Sequence, residues 1–224
     1  MADDSAERSN DNMIRDFLSS PSAGPRATGR RPGSRFQSGQ RMTGLAAHDA
    51  VMTTNPEIEN GERGDLLETL AKHRSFLRQT VRGLTDEQAT QRTTASELCL
   101  GGLIKHVTMT EQGWGDFIIQ GSDSMGGADQ AAMEAHAAGF RMLAGESLAD
   151  VLVRYEDVAR RTDDLVASLP SLDASQPLPE APWFEPGARW SARRVLLHII
   201  AETAQHAGHA DIIRESLDGA KTMG

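Results

Sequence analysis

One stretch near the C-terminus limits the fold more than any other. Residues 190–217 run Trp-Ser-Ala-Arg-Arg-Val-Leu-Leu-His-Ile-Ile-Ala-Glu-Thr-Ala-Gln-His-Ala-Gly-His-Ala-Asp-Ile-Ile-Arg-Glu-Ser-Leu. The spacing predicts a single long helix. Ser191 is suited to cap its N-terminus, and Trp190 before it to staple onto Val195. At about 100° per residue, Val195, Leu196, Ile199, Ile200, Ala207, Ala210, Ile213 and Leu217 share an arc roughly 140° wide, with Thr203 inside it. Leu197, Ile212 and Arg214 do not fit the arc, and Arg193, Asp211 and Glu215 mark the wet side. Glu202 and His206 fall at the edge of the apolar arc or within it. His198 and His209 lie beside them. A carboxylate there is costly unless something compensates it. Glu202 and His206 are one turn apart, with Cβ atoms about 5–6 Å from each other. One metal ion could take both; a buried Glu–His hydrogen bond would also satisfy them. A third ligand from elsewhere in the chain would separate the two readings.

The chain has 224 residues, enough for one ordinary domain plus extra, and a net charge of −9 that argues against general nucleic-acid binding. The single cysteine, Cys99, excludes a disulfide framework and a cysteine-rich zinc module and fits a reducing cytoplasm. No apolar run is long enough to span a bilayer, and the N-terminus has no apolar core of a secretory signal. The expectation is a cytoplasmic protein with no nucleic-acid or membrane partner.

Residues 1–55 are rich in Ser, Gly, Arg and Asp and poor in apolar residues, so they read as a disordered tail. The acidic first stretch, Asp3 to Asp16, argues against an organelle transit peptide. Met52 would be a natural start for the folded domain, with the tail then a gene-start artefact. That domain is expected over 56–220. A first helix runs from Gly64 to about Gly83 on Leu66, Leu67, Leu70, Leu77 and Val81. Thr85-Asp-Glu-Gln is a capping-box start for a short turn of helix. A second principal helix spans about Ser96 or Leu98 to Gln120. It buries Leu100, Leu103, Ile104, Val107, Trp114, Phe117 and Ile118 and puts His106 at the margin of that face. Gly101-Gly102 at its start lowers helix propensity by about 1 kcal/mol per residue, which suggests either close approach of another backbone or a chance pair. A short Ala-rich helix is expected from Ala128 to about His136. Both His136 and His73 read as solvent-side histidines. Ser147 opens a third principal helix to Pro170. Pro170 to Arg189, with four prolines at 177, 179, 182 and 186, reads as a long linker across the bundle; Trp183-Phe184 either anchors it or lines a pocket. Four principal helices, long crossover connections and no convincing strand make an all-α four-helix bundle.

Bundle cores build metal sites from side chains on facing helices. His106, Glu202 and His206 would form such a set. Three protein ligands leave one position open, the pattern of a catalytic zinc site; nickel or iron(II) would suit the same donors.

Two segments carry a family resemblance. One is Gly-Gly-Leu-Ile-Lys-His106, followed by Glu111 and Trp114. The other is Trp190-Ser-x-Arg-x-Val-Leu-Leu-His198-x-Ile-x-Glu202-Thr-Ala-x-His206-Ala-Gly-His209-Ala-Asp-Ile-x-Arg214-Glu. Over about Pro56 to Leu217 the chain resembles the DinB-like (YfiT-like) superfamily, and within it the mini-circle protein (DUF664) group. The resemblance implies a four-helix bundle holding one divalent metal ion, zinc first among the candidates, on His106, Glu202 and His206. Many members carry a His-x-x-x-His pair. Glu202 in its first place is similar to the mycothiol-dependent branch, whose zinc sits on two His and one Glu. The implied activity is thiol S-transfer: a low-molecular-weight thiol such as mycothiol is the cosubstrate, and its thiolate attacks an electrophile. His209 is the catalytic candidate, relaying protons or orienting His206 together with His198 at Glu202; Glu111 is a weaker one. A metal-dependent hydrolase with His209 as base, and a non-catalytic metal-binding stress-response bundle, are the alternatives. The oligomeric state stays open, a homodimer among the expectations.

Overall fold

A computed structural model describes residues 56–126 and 130–222. The expected tail over 1–55 and the Met52 start lie outside the described residues. The elements, in chain order, are α1 (Pro56–Gln79), α2 (Asp86–Thr90), α3 (Leu100–Gln120), a 3-10 turn (Gly121–Ser124), α4 (Gln130–Gly139), α5 (Leu148–Ser168), β1 (Ser175–Pro177), β2 (Arg189–Ser191) and α6 (Ala192–Asp218). The four long helices form the bundle. α1 lies beside α6, α6 beside α3, and α3 beside α5; a thinner contact between α5 and α1 closes the ring.

The helix starts follow local chemistry. Thr85 and Gln88 form a reciprocal capping box on α2. Ser147 accepts from the backbone of Asp150, and Ser191 from that of Arg194. Gly219, at φ +80, ends α6 in the left-handed conformation that glycine adopts without strain. α1 begins at Pro56, earlier than the leucine spacing indicates; a proline suits the first turn of a helix.

Two main apolar layers fill the bundle, with a smaller cluster of Val166, Leu172 and Leu196 beside them. One holds Leu77, Leu100, Leu103, Ile104, Val107, Tyr155, Ala207, Ala210 and Ile213. The other holds Leu70, Trp114, Phe117, Ile118, Val195 and Ile199. Each large side chain among them contributes about 1.5–3 kcal/mol by leaving water. Thr203, 0 % exposed, packs between them and donates its hydroxyl to the Ile199 carbonyl at 2.8 Å. Leu197 and Ile212, which break the periodicity of α6, are on the outside at 46 % and 63 % exposure.

The order of these layers along each helix gives the directions. α1 and α6 run one way; α3 and α5 run the other. α3 and α5 are therefore parallel neighbours, and the chain must return along the bundle between them, which it does through α4. The connection from α5 to α6 crosses the base of the bundle. Here the structure departs from the expectation of no strand: β1 and β2 pair antiparallel, Ser175 opposite Ser191 and Pro177 opposite Arg189. Three-residue strands carry too little alternation to be seen in a proline-rich stretch. Phe184 in this hairpin and Trp190 on β2 pack against the second apolar layer, so Phe184 acts as an anchor. Among the described residues no helix is long and apolar enough to cross a membrane.

Candidate metal centre

α3 and α6 run antiparallel along one seam, and each presents the margin of its apolar face to the other. His106 comes from α3; Glu202 and His206 come from consecutive turns of α6. His106 is 6 % and His206 8 % exposed. Both imidazole Nε2 atoms converge on one carboxylate oxygen: His106 is 3.9 Å and His206 3.5 Å from Glu202 Oε2. The ligating atoms of all three residues lie within 4.8 Å of one another. These separations are at or beyond the limit of a hydrogen bond. They are close to the edge of a tetrahedral site with bonds of 2.0–2.1 Å, which is about 3.4 Å. The donor types suit a divalent ion, and the two separations to Glu202 are near that edge; the widest, up to 4.8 Å, would have to close for one ion to take all three.

Protonation agrees with that use. Burial pushes His106 down to about 4, against the pull of Glu202 and with a further push from His206 and His136. Burial works to raise Glu202, but the His106 and His206 imidazoles outweigh it, and the carboxyl is held well below its ordinary range. At neutral pH the site therefore offers a neutral His106 imidazole and an ionised Glu202, the forms a metal ion requires.

The surrounding residues approach from three sides. His209 Nδ1 is 3.4 Å from His206 Nδ1, the ring nitrogen that faces away from Glu202. His198 Nε2 is 4.0 Å from the other oxygen of Glu202, and burial lowers its pKa. The His198 ring stands edge-on to Trp114 at 4.9 Å and Trp190 at 5.2 Å, and those two indoles stack at 4.7 Å. Opposite, Phe140 stacks on His106 at 3.8 Å with 17° between the rings. His136 approaches the same ring at 5.4 Å, nearly perpendicular.

The four histidines and the glutamate singled out from the helical spacing are thus all in one cluster. Glu111 is not. It is 0 % exposed, inside the bundle, where both its oxygens accept from Arg74. Periodicity missed two members of the surround. His136 is exposed on α4, and nothing in its own helix shows that α4 docks over α3. Phe140 lies just past the end of α4. The available signal was the glycine pair at 101–102, which marked a close backbone approach at the start of α3.

Fold and cluster together define a DinB-like helical bundle with a two-histidine, one-glutamate set on the seam of its second and fourth long helices. Residues 65–219 match the model of the mycothiol-S-transferase family, and the chain belongs to that family. It is a transferase, and mycothiol fits as its thiol substrate. No curated protein matches the chain.

Proposed function

We propose that the chain is a divalent-metal-dependent thiol S-transferase, with zinc on His106, Glu202 and His206 and mycothiol as the thiol. The observation that carries the reading is the environment of Glu202. The basic side chains within 4.0 Å of it among the described residues are three imidazoles, with no lysine or arginine. A half-buried carboxylate held ionised without a fixed cation fits a bound divalent ion. When bound, such an ion supplies thiol deprotonation near neutral pH, so that the sulfur is a nucleophile.

The remaining work falls to the protein. His209 meets the far nitrogen of His206 and sets its tautomer, with proton relay as its catalytic part. His198 steadies the second oxygen of Glu202. Phe140 and the Trp114–Trp190 pair shield the two flanks from water. The thiol must come from outside: Cys99 is 5 % exposed, and its sulfur faces the Phe140 carbonyl at 3.9 Å. In the reaction a sulfur–carbon bond forms at a halide, an epoxide or a conjugated double bond. The opened oxygen or the far carbon of the double bond takes up the thiol's proton; a halide leaves as the anion, and the proton passes to solvent. Placement in the mini-circle branch rests on the two motifs, and the cytoplasmic setting on the single cysteine and the choice of thiol.

The test is conjugation of mycothiol to a bimane halide, followed by fluorescence. Activity that requires the thiol, falls on chelation and returns with zinc supports the proposal. Turnover of an ester or amide without thiol would replace it with the hydrolytic reading.

A further inference from the structure

Gly101 and Gly102 occupy the first turn of α3, where each costs about 1 kcal/mol relative to alanine. The packing explains Gly102. A Cβ on Gly102 would overlap the Phe140 carbonyl oxygen and come within 3.0 Å of Arg141 N. A Cβ on Gly101 would meet only the flexible Met142 side chain at close range. The backbone after α4 therefore lies directly on α3, with no room for a side chain between them. Two further contacts hold it there. The Cys99 thiol points at the Phe140 carbonyl, and Lys105 Nζ donates to the Arg141 carbonyl at 3.3 Å while pairing with Glu146. Lys105 is the residue before His106. The segment is thus pinned to α3 beside the histidine, and its one aromatic ring lies flat on that histidine at 3.8 Å.

We propose that Phe140, seated on the bare backbone of Gly102, is the positioning residue for the His106 imidazole. His206 has its far nitrogen met by His209; His106 is held instead by ring stacking. The stacked ring blocks rotation of His106 about its Cβ–Cγ bond. Thr110, whose hydroxyl is 3.4 Å from His106 Nε2, approaches from the next turn of α3. Nε2 is thereby aimed across the seam at Glu202 and His206. The proposal rests on the metal reading for its consequence, but ring orientation is measurable without metal.

The experiment compares Phe140→Leu, Phe140→Tyr and Gly102→Ala with wild type in two states. In cobalt-loaded protein, the visible absorption spectrum and competition with a chelator report the ligand set and its affinity. Phe140→Leu is expected to bind cobalt about 10- to 100-fold more weakly, the usual range for a group that orients a ligand, with an altered spectrum. Phe140→Tyr, which keeps the ring, should follow wild type. Gly102→Ala should resemble Phe140→Leu although its Phe140 is intact; should it fail to fold, Phe140→Leu carries the test. Wild-type affinity and spectrum in Phe140→Leu would overturn the proposal. Should wild type itself take up no cobalt, the metal reading fails and metal-free protein decides this one. Nuclear Overhauser contacts from the His106 ring to Thr110 and His206 should define one orientation in wild type and be lost in Phe140→Leu; their persistence would overturn it.

Discussion

Glu111 and Glu202 sit at the same level of the bundle, between its two apolar layers, and the protein treats them in opposite ways. Glu111 on α3 points into the core and is sealed there. Arg74 of α1 meets both its oxygens, one at 3.1 Å, and reaches on to Asp163 of α5 at 2.8 Å. Glu202 on α6 points into the α3–α6 seam, and its side chain is 14 % exposed. It has imidazoles at 3.5, 3.9 and 4.0 Å. The first carboxylate has its counter-charge built in. The second is kept ionised beside a His106 that burial keeps neutral. Burial of an acid is thus a poor sign of function. Burial without a resident cation is a good one, because the missing charge names the chemistry of the ligand.

The comparison breaks first at Arg74. Arg74→Met leaves Glu111 buried and alone, and should cost about 3–5 kcal/mol of stability in chemical denaturation. Zinc content per folded chain should not change. Next comes the seam. On the proposed reading His106→Ala removes a ligand rather than a counter-charge, so zinc affinity should fall by more than about 100-fold in a chelator competition, beyond the range for an orienting group. The fold should survive, as read by circular dichroism. His209→Ala sharpens the contrast further: its ring meets His206 at 3.4 Å, and zinc affinity should fall by about tenfold. Glu202→His should retain zinc, since imidazole is an equally good donor.

A further effect is on pH. In metal-free protein His106 is lowered to about 4 from its ordinary 6.5. Protons therefore bind the unfolded chain more tightly. The stability from this residue is present in full above about pH 6.5 and is lost as pH falls toward 4. Urea midpoints across that window should decline, and the slope should flatten in His106→Ala.

Much of this arrangement was legible in the chain. The period of α6 placed Glu202 and His206 together at the edge of the apolar face, and the period of α3 did the same for His106. Ser147, Ser191 and the Thr85–Gln88 box announced helix starts because capping is local chemistry. The glycine pair announced a close approach. What approaches could not be read, since Phe140 is distant in sequence from Gly102 and docks through backbone shape. Nor could spacing show that Glu111 has a partner in Arg74, 37 residues away on another helix. The β1–β2 pairing escaped for the same reason: its register is set by how the connection crosses the base of the bundle, not by alternation within three residues.

The decisive measurement is elemental analysis of untagged wild-type protein beside His206→Ala. Close to one zinc, nickel or iron ion per wild-type chain is expected, and little in the variant. No metal in either folded protein, even after all three ions are supplied, would make the Glu202 cluster a polar contact like that of Glu111 and overturn the metal assignment.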